Sequence, residues 1–166
     1  MEYRYLRVSD LARAIVYQDA DALEWKPFLQ TRFTDAHKIH EERKHTYCNG
    51  ELLQLTEKYY SRRTGNIIVT GKVDALIQVN KKKSILEVKT FQGTITKEQV
   101  ELAVVQVKLY AWILRRWIKD LSTIHVIEFI NRQTGEIYQA SVQEEDMEPK
   151  IWWTVYSLLD KRESHS

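Results

Sequence analysis

Residues 67–90 read IIVTGKVDALIQVNKKKSILEVKT, and their pattern decides what kind of domain surrounds them. From Ile67 to Val79 the β-branched residues and partial alternation favour a strand or bent strand. Asn80 to Lys83 is a polar turn, and Ser84 to Thr90 returns as a second strand, so the segment is predicted as a β-hairpin. Glu87 and Lys89, two apart, point to one face of the returning strand, while Leu86 and Val88 point to the other. The apolar pair anchors the strand in the core and holds the charged pair at its surface. Asp74, thirteen residues upstream and flanked by Val73 and Ala75, is brought close to Glu87 when the hairpin closes.

Working outward, Gln92-Gly93-Thr94 breaks the strand and Thr96 caps a long helix from Lys97 to about Lys119. Leu102, Val105, Leu109, Trp112 or Ile113, and Arg116 follow the helical period and form its apolar stripe. Ile124 to Ile130 and Glu136 to Val142 make a second hairpin turning at Thr134-Gly135, and Pro149 opens a final helix. Upstream, Ser9 caps a helix over Leu11 to Leu23 that ends at Trp25-Lys26-Pro27. A second helical region is expected from Thr34 through Tyr60, then a polar turn over Arg62 to Asn66. This order predicts an α/β (α+β) domain, a mixed β-sheet core flanked by helices, and one domain over residues 1–166.

Bulk properties narrow the function without naming it. With 43% hydrophobic and 29% charged residues, five glycines and two prolines, the chain is globular rather than disordered. A net charge of +2 gives only weak general attraction to a polyanion. Any such attraction falls to local groups: Arg62-Arg63, Lys81-Lys82-Lys83, and Arg115-Arg116 with Lys119. Taken alone, each is more simply a solvated surface. The single cysteine, Cys48, excludes an intrachain disulfide and a cysteine-rich metal site, and its neighbour His45 lacks the third group of a nucleophilic triad. No apolar run reaches the roughly 18 residues that span a bilayer, so a cytoplasmic protein with no membrane partner is expected.

Two converging carboxylates repel each other unless they share a cation, and an all-oxygen pair suits Mg²⁺ or Mn²⁺. Lys89 beside them can orient an attacking water or stabilise charge developing on a phosphate. Spacing alone leaves open a plainer alternative, an exposed cross-strand set of charges with little energetic weight.

Gly71-Lys72-Val73-Asp74 followed by Glu87-Val88-Lys89 resembles the G-x-x-D and E-x-K core of the PD-(D/E)XK nuclease superfamily. Gln106-Val107-Lys108-Leu109-Tyr110 is similar to the Q-x-x-x-Y motif of its RecB-like branch. Ala36 to His40 is similar to that branch's G-x-x-x-H motif, with alanine in place of glycine. The resemblance implies a restriction-endonuclease-like fold. It also implies a metal held by His40, Asp74, Glu87 and the carbonyl of Val88, with Lys89, Gln106 and Tyr110 on the substrate side. His37 and His45 are rivals to His40. The opening, Val8-Ser9-Asp10-Leu11 and then Tyr17-Gln18-Asp19, resembles CRISPR-associated RecB-like exonucleases, but Gln18-Asp19 stands where that family has Cys-Pro. One cysteine cannot ligate an iron–sulfur cluster.

The implied activity is metal-dependent hydrolysis of DNA phosphodiester bonds, exonucleolytic at ends or on single strands. The alternatives are a structure-specific endonuclease and a non-catalytic nucleic-acid-binding or assembly protein on the same fold. Trp112, Trp117, Trp152 and Trp153 crowd the second half of the chain, as core packing or as the interface of a homo-oligomer.

Overall fold

The computed structural model describes residues 3–25, 52–55 and 59–164. Strand β1 (Arg4–Arg7) leads directly into helix α1 (Val8–Tyr17), followed by a short 3₁₀ turn at Ala20–Ala22. Then come β2 (Leu52–Leu55), β3 (Tyr60–Thr64), β4 (Ile67–Gly71), β5 (Ala75–Val79) and β6 (Lys82–Phe91). Helix α2 (Lys97–Leu114), β7 (Ile124–Asn131), β8 (Ile137–Gln143) and α3 (Glu148–Ser164) complete the order. Among the described residues, no helix is long and apolar enough to cross a membrane.

The strands form a five-stranded sheet, β2-β5-β6-β7-β8, and a three-stranded sheet, β1-β4-β3. The larger sheet is mixed. Its β6–β7 pair is parallel and its other pairs antiparallel, with α2 as the crossover that a parallel pair requires. This is the expected mixed sheet flanked by helices, matching the restriction-endonuclease-like architecture.

Helix α2 starts where its signal lies. The Thr96 side chain accepts from the Gln99 N–H and the Gln99 side chain accepts from the Thr96 N–H, a closed capping box. The helix buries two faces rather than the single stripe that periodicity suggests. Leu109, Trp112 and Ile113 join Leu6, Leu11, Ile151 and Leu158 in a core shared with α1 and α3. Ala103 and Val107 pack on Phe91, Ile127 and Phe129, while Ala111 and Leu114 pack on Leu76 and Ile85. A helix clamped between a sheet and two helices needs apolar residues almost all round, which blurs its periodicity.

Several local expectations change, beginning with two helix ends: α1 stops at Tyr17 rather than Leu23, and α2 at Leu114 rather than about Lys119. The run Ile67 to Val79 is two strands in two sheets, because β4 ends at Gly71 and β5 begins at Ala75. Arg62 and Arg63 lie in β3, and the turn is shorter, at Gly65-Asn66. Gly65 takes φ +59°, and a Cβ there would sit 2.5 Å from the Trp152 ring, so both turn and packing select glycine. Leu52–Leu55 pairs with β5 as a strand, so the helix expected from Thr34 through Tyr60 does not reach β3; its remainder lies outside the described residues. Finally, Ser9 lies inside α1, whose N-cap is Arg7 with no side-chain cap, because β1 runs straight into the helix.

Candidate active site

Strand β6 carries Glu87 and Lys89 past the end of its partner. The last β5–β6 pair is Ala75 with Leu86, and beyond it the chain of β5 bends away through Asp74. The Val88 N–H, which has no β5 residue opposite, donates to Asp74 Oδ2 at 2.9 Å. Asp74 thus fills the place of the missing strand partner and is tied to the backbone between Glu87 and Lys89. In a strand the N–H and C=O of one residue point to the same side, so the Val88 carbonyl is directed to this side too. The Val88 side chain is buried on the opposite face with Ala75, Ile77, Leu86 and Ile130.

The charged pair does not stand on an open surface, as alternation alone suggested. Glu87 is only 5% exposed because its face of β6 is the one covered by α2. Lys89 Nζ lies 3.6 Å from Glu87 Oε1, an ion pair looser than a hydrogen bond. From α2, Gln106 and Tyr110, one helical turn apart, come down on the same region. Burial, and then the negative charges of Glu87 and Asp74, hold the Tyr110 hydroxyl pKa well above the ordinary tyrosine value. Tyr110 therefore remains a hydrogen-bond donor at any physiological pH. Gln106 is 7% exposed, and its side-chain oxygen has no hydrogen-bonding partner among the described residues.

The glycine of the G-x-x-D segment now has a physical reason. A Cβ on Gly71 would lie 2.7 Å from Tyr110 Cε1 and 2.8 Å from Val8 Cγ2. Only a residue without a side chain lets the tyrosine ring rest on the end of β4, immediately before the Lys72-Val73-Asp74 bend. Two distant motifs are thereby one packing unit.

Asp74, Glu87, Val88, Lys89, Gln106 and Tyr110 are thus all found around one end of β6. His40, like its rivals His37 and His45, lies outside the described residues. Among the described residues, no three His, Cys, Asp or Glu side chains gather in a metal-sized cluster. Two carboxylates and a carbonyl remain, a hard all-oxygen donor set. It fits Mg²⁺ or Mn²⁺, which are commonly held by one or two carboxylates plus oxygens of the substrate.

Spacing did not reveal the pocket of about 150 Å³ beside Lys89 and Gln106, which Phe91 and Phe129 help to line. Phe91 continues the Glu87, Lys89 alternation, which was a usable signal. Phe129 sits opposite Lys89 through the parallel β6–β7 register, which no local pattern encodes.

Neither a family model nor a curated protein matches the sequence. Among solved structures, SSO0001 matches with a TM-score of 0.60 at 15% identity, over 96% of this chain and 77% of that one. A phage related exonuclease from Haemophilus somnus 129PT matches with a TM-score of 0.49 at 14% identity, over 92% of this chain and 76% of that one. The likeness to SSO0001 shows a shared fold.

Proposed function

We propose that this chain, folded as one domain, is a metal-dependent deoxyribonuclease of the PD-(D/E)XK type and RecB-like branch that hydrolyses DNA phosphodiester bonds, acting from ends. The observation that carries the proposal is the hydrogen bond from the Val88 N–H to Asp74, which ties one carboxylate to the strand that bears Glu87 and Lys89. Glu87 is buried beneath a helix, and both it and Asp74 act as nearby negative charges on Tyr110, an arrangement of perturbed groups of the kind that functional sites employ.

Asp74, Glu87 and the Val88 carbonyl would hold a divalent cation, with His40 as a further ligand. Such a cation, when bound, polarises a phosphodiester and makes water a better nucleophile at neutral pH. Lys89 orients the attacking water or neutralises charge gathering on the phosphate. Tyr110, kept protonated, donates its hydroxyl to a phosphate oxygen, and Gln106 offers its amide to the same group. Both are positioned by α2, whose packing between the sheet and two helices leaves it little freedom.

The test is cleavage of end-labelled linear single-stranded DNA, linear duplex and covalently closed circles, in EDTA, Mg²⁺ or Mn²⁺, with Asp74→Asn alongside. Metal-dependent shortening of linear substrates that disappears in the variant is the expected result. Cutting of the circle would replace the exonuclease with an endonuclease. Intact DNA in every arm would leave a binding or assembly role on a nuclease fold.

A further inference from the structure

A groove of about 460 Å³ lies away from the carboxylates, between edge strand β3 and the turn that follows α2. Arg62, Arg63 and Arg116 line it together with Trp117, and no acidic residue does so among the described residues. Trp117 is 59% exposed, yet it is not a loose side chain, because its indole Nε1–H donates to the Ser61 carbonyl at 2.6 Å. Large aromatic rings are seldom left in water, and fixing one there by its polar edge leaves a flat apolar face on offer.

The arginines are arranged in the same spirit. Arg62 stacks over the Trp112 ring, 4.4 Å from its centroid, and donates to the Trp112 carbonyl at 2.7 Å. Arg63 lies over Tyr3 and donates to the Tyr3 hydroxyl and the Gly65 carbonyl. Arg63 is thus oriented by an aromatic ring and a carbonyl, whereas the Arg62 guanidinium, on the opposite face of the strand, shares a second pocket with Glu144, Glu145, Asp146 and Glu148, so the groove's own charges are those of Arg63 and Arg116. Arg116 is exposed.

We infer that this groove binds a single-stranded segment of the nucleic acid, with phosphates on Arg63 and Arg116 and one unstacked base on the Trp117 face. A duplex keeps its bases stacked on each other and offers no such partner, whereas single strands are bound by alternating charge and aromatic contacts. The groove also lies within reach of the carboxylates. Along β3, Arg63 is three residues from Tyr60, the partner of Gly71, roughly 10 Å at the rise of a strand. Along α2 and its following turn, Arg116 is six residues beyond Tyr110, roughly 9 Å at the rise of a helix. Both paths start from the Gly71–Tyr110 contact beside the Lys72-Val73-Asp74 bend, so β3 and α2 connect the groove to the carboxylate region. The inference rests on the proposed nuclease reading only for this link between groove and cleavage; the binding itself is independent of it.

Fluorescence anisotropy in EDTA, with labelled oligothymidylate and with a labelled duplex of equal length, tests it without cleavage. Trp117→Ala should weaken single-strand binding by about 10-fold and change duplex binding little, and Trp117→Phe should recover most of the loss. Arg116→Ala should lower the salt dependence of single-strand binding by about 0.7 in log–log slope, one phosphate contact. Unchanged single-strand affinity in Trp117→Ala, or an equal loss with the duplex, would overturn the inference, as would wild-type protein that does not hold oligothymidylate. In Mn²⁺, Trp117→Ala should slow cleavage of long single strands but not of a dinucleotide. Binding that depends on Trp117 without any cleavage would sustain the groove and sink the nuclease. Cleavage together with single-strand binding that both ignore Trp117 would do the reverse.

Discussion

Lys108 of α2 and Arg115 just after it face the connection between β8 and α3, while Gln106 and Tyr110 lie toward the end of β6 that carries Glu87 and Lys89. In the first region charges and hydrogen bonds are matched. Arg115 forks onto both oxygens of Glu144 at 2.8–2.9 Å and donates to the carbonyls of Leu121 and Ser122. Glu145 receives both Lys108 and Lys150 at 2.8 Å, and those two bonds lower its pKa. In the second region Asp74 and Glu87 both act on Tyr110, Lys89 stands 3.6 Å from Glu87, and a buried glutamine oxygen has no partner among the described residues. Satisfied charges of the first kind fasten one element to another. The second kind, charged and polar groups gathered in a buried region without a matched fork, is where a perturbed group such as the Tyr110 hydroxyl occurs.

The largest expected effect follows from that contrast. Asp74→Asn keeps an acceptor for the Val88 N–H but loses the charge, so cleavage should fall at least about 1,000-fold, roughly 4 kcal/mol of barrier. Stability should hold or rise, as read by urea unfolding. A variant that unfolds readily but still cuts would erase the distinction between the two regions.

Next in size is a pH effect at a histidine beside the fastened region. His125, fully buried, accepts the Ile85 N–H on Nδ1 at 3.0 Å, just before the β6–β7 ladder begins. Burial, and secondarily the Arg115 charge, lowers its pKa from 6.5 to about 4, against an opposing pull from Glu144. Between these values the unfolded chain takes a proton that the folded chain refuses. Stability is therefore full above pH 6.5 and is lost as pH falls toward 4, by about 3 kcal/mol. Urea unfolding of His125→Gln over the same range should show a visibly flatter profile.

Smaller, but aimed at the site, Gly71→Ala should cost roughly 1–3 kcal/mol by forcing Tyr110 and Val8 apart. Cleavage per folded molecule should drop as well, since the tyrosine loses its seat. If stability falls while cleavage stays intact, Tyr110 is a packing residue and nothing more. Smallest of all, Arg115→Ala should remove about 1–2 kcal/mol, discounted because the side chain is partly solvated, and leave cleavage per folded molecule unchanged. A comparable loss of activity would mean that the fastening also positions the site.

Local chemistry is what a linear pattern records well, and the Thr96 cap, the hairpin from Ala75 to Phe91 and the pair Glu87 with Lys89 were all legible in it. Alternation placed those two side chains together because a strand's period belongs to the backbone itself. The ordered motifs also named Asp74, Gln106 and Tyr110 before any geometry was known. Other features depended on residues far apart in the chain. Glu87 is buried because α2 crosses above it; Gly71 must be glycine because a ring thirty-nine residues later rests on it; Trp117 stands exposed because Ser61 holds its indole. The sequence by itself determined which side chains could do chemistry here, since spacing along one strand or one helix turn suffices for that. Only the tertiary structure decided which of them are buried, matched or left open, because burial and pairing are properties of the neighbours that packing brings in.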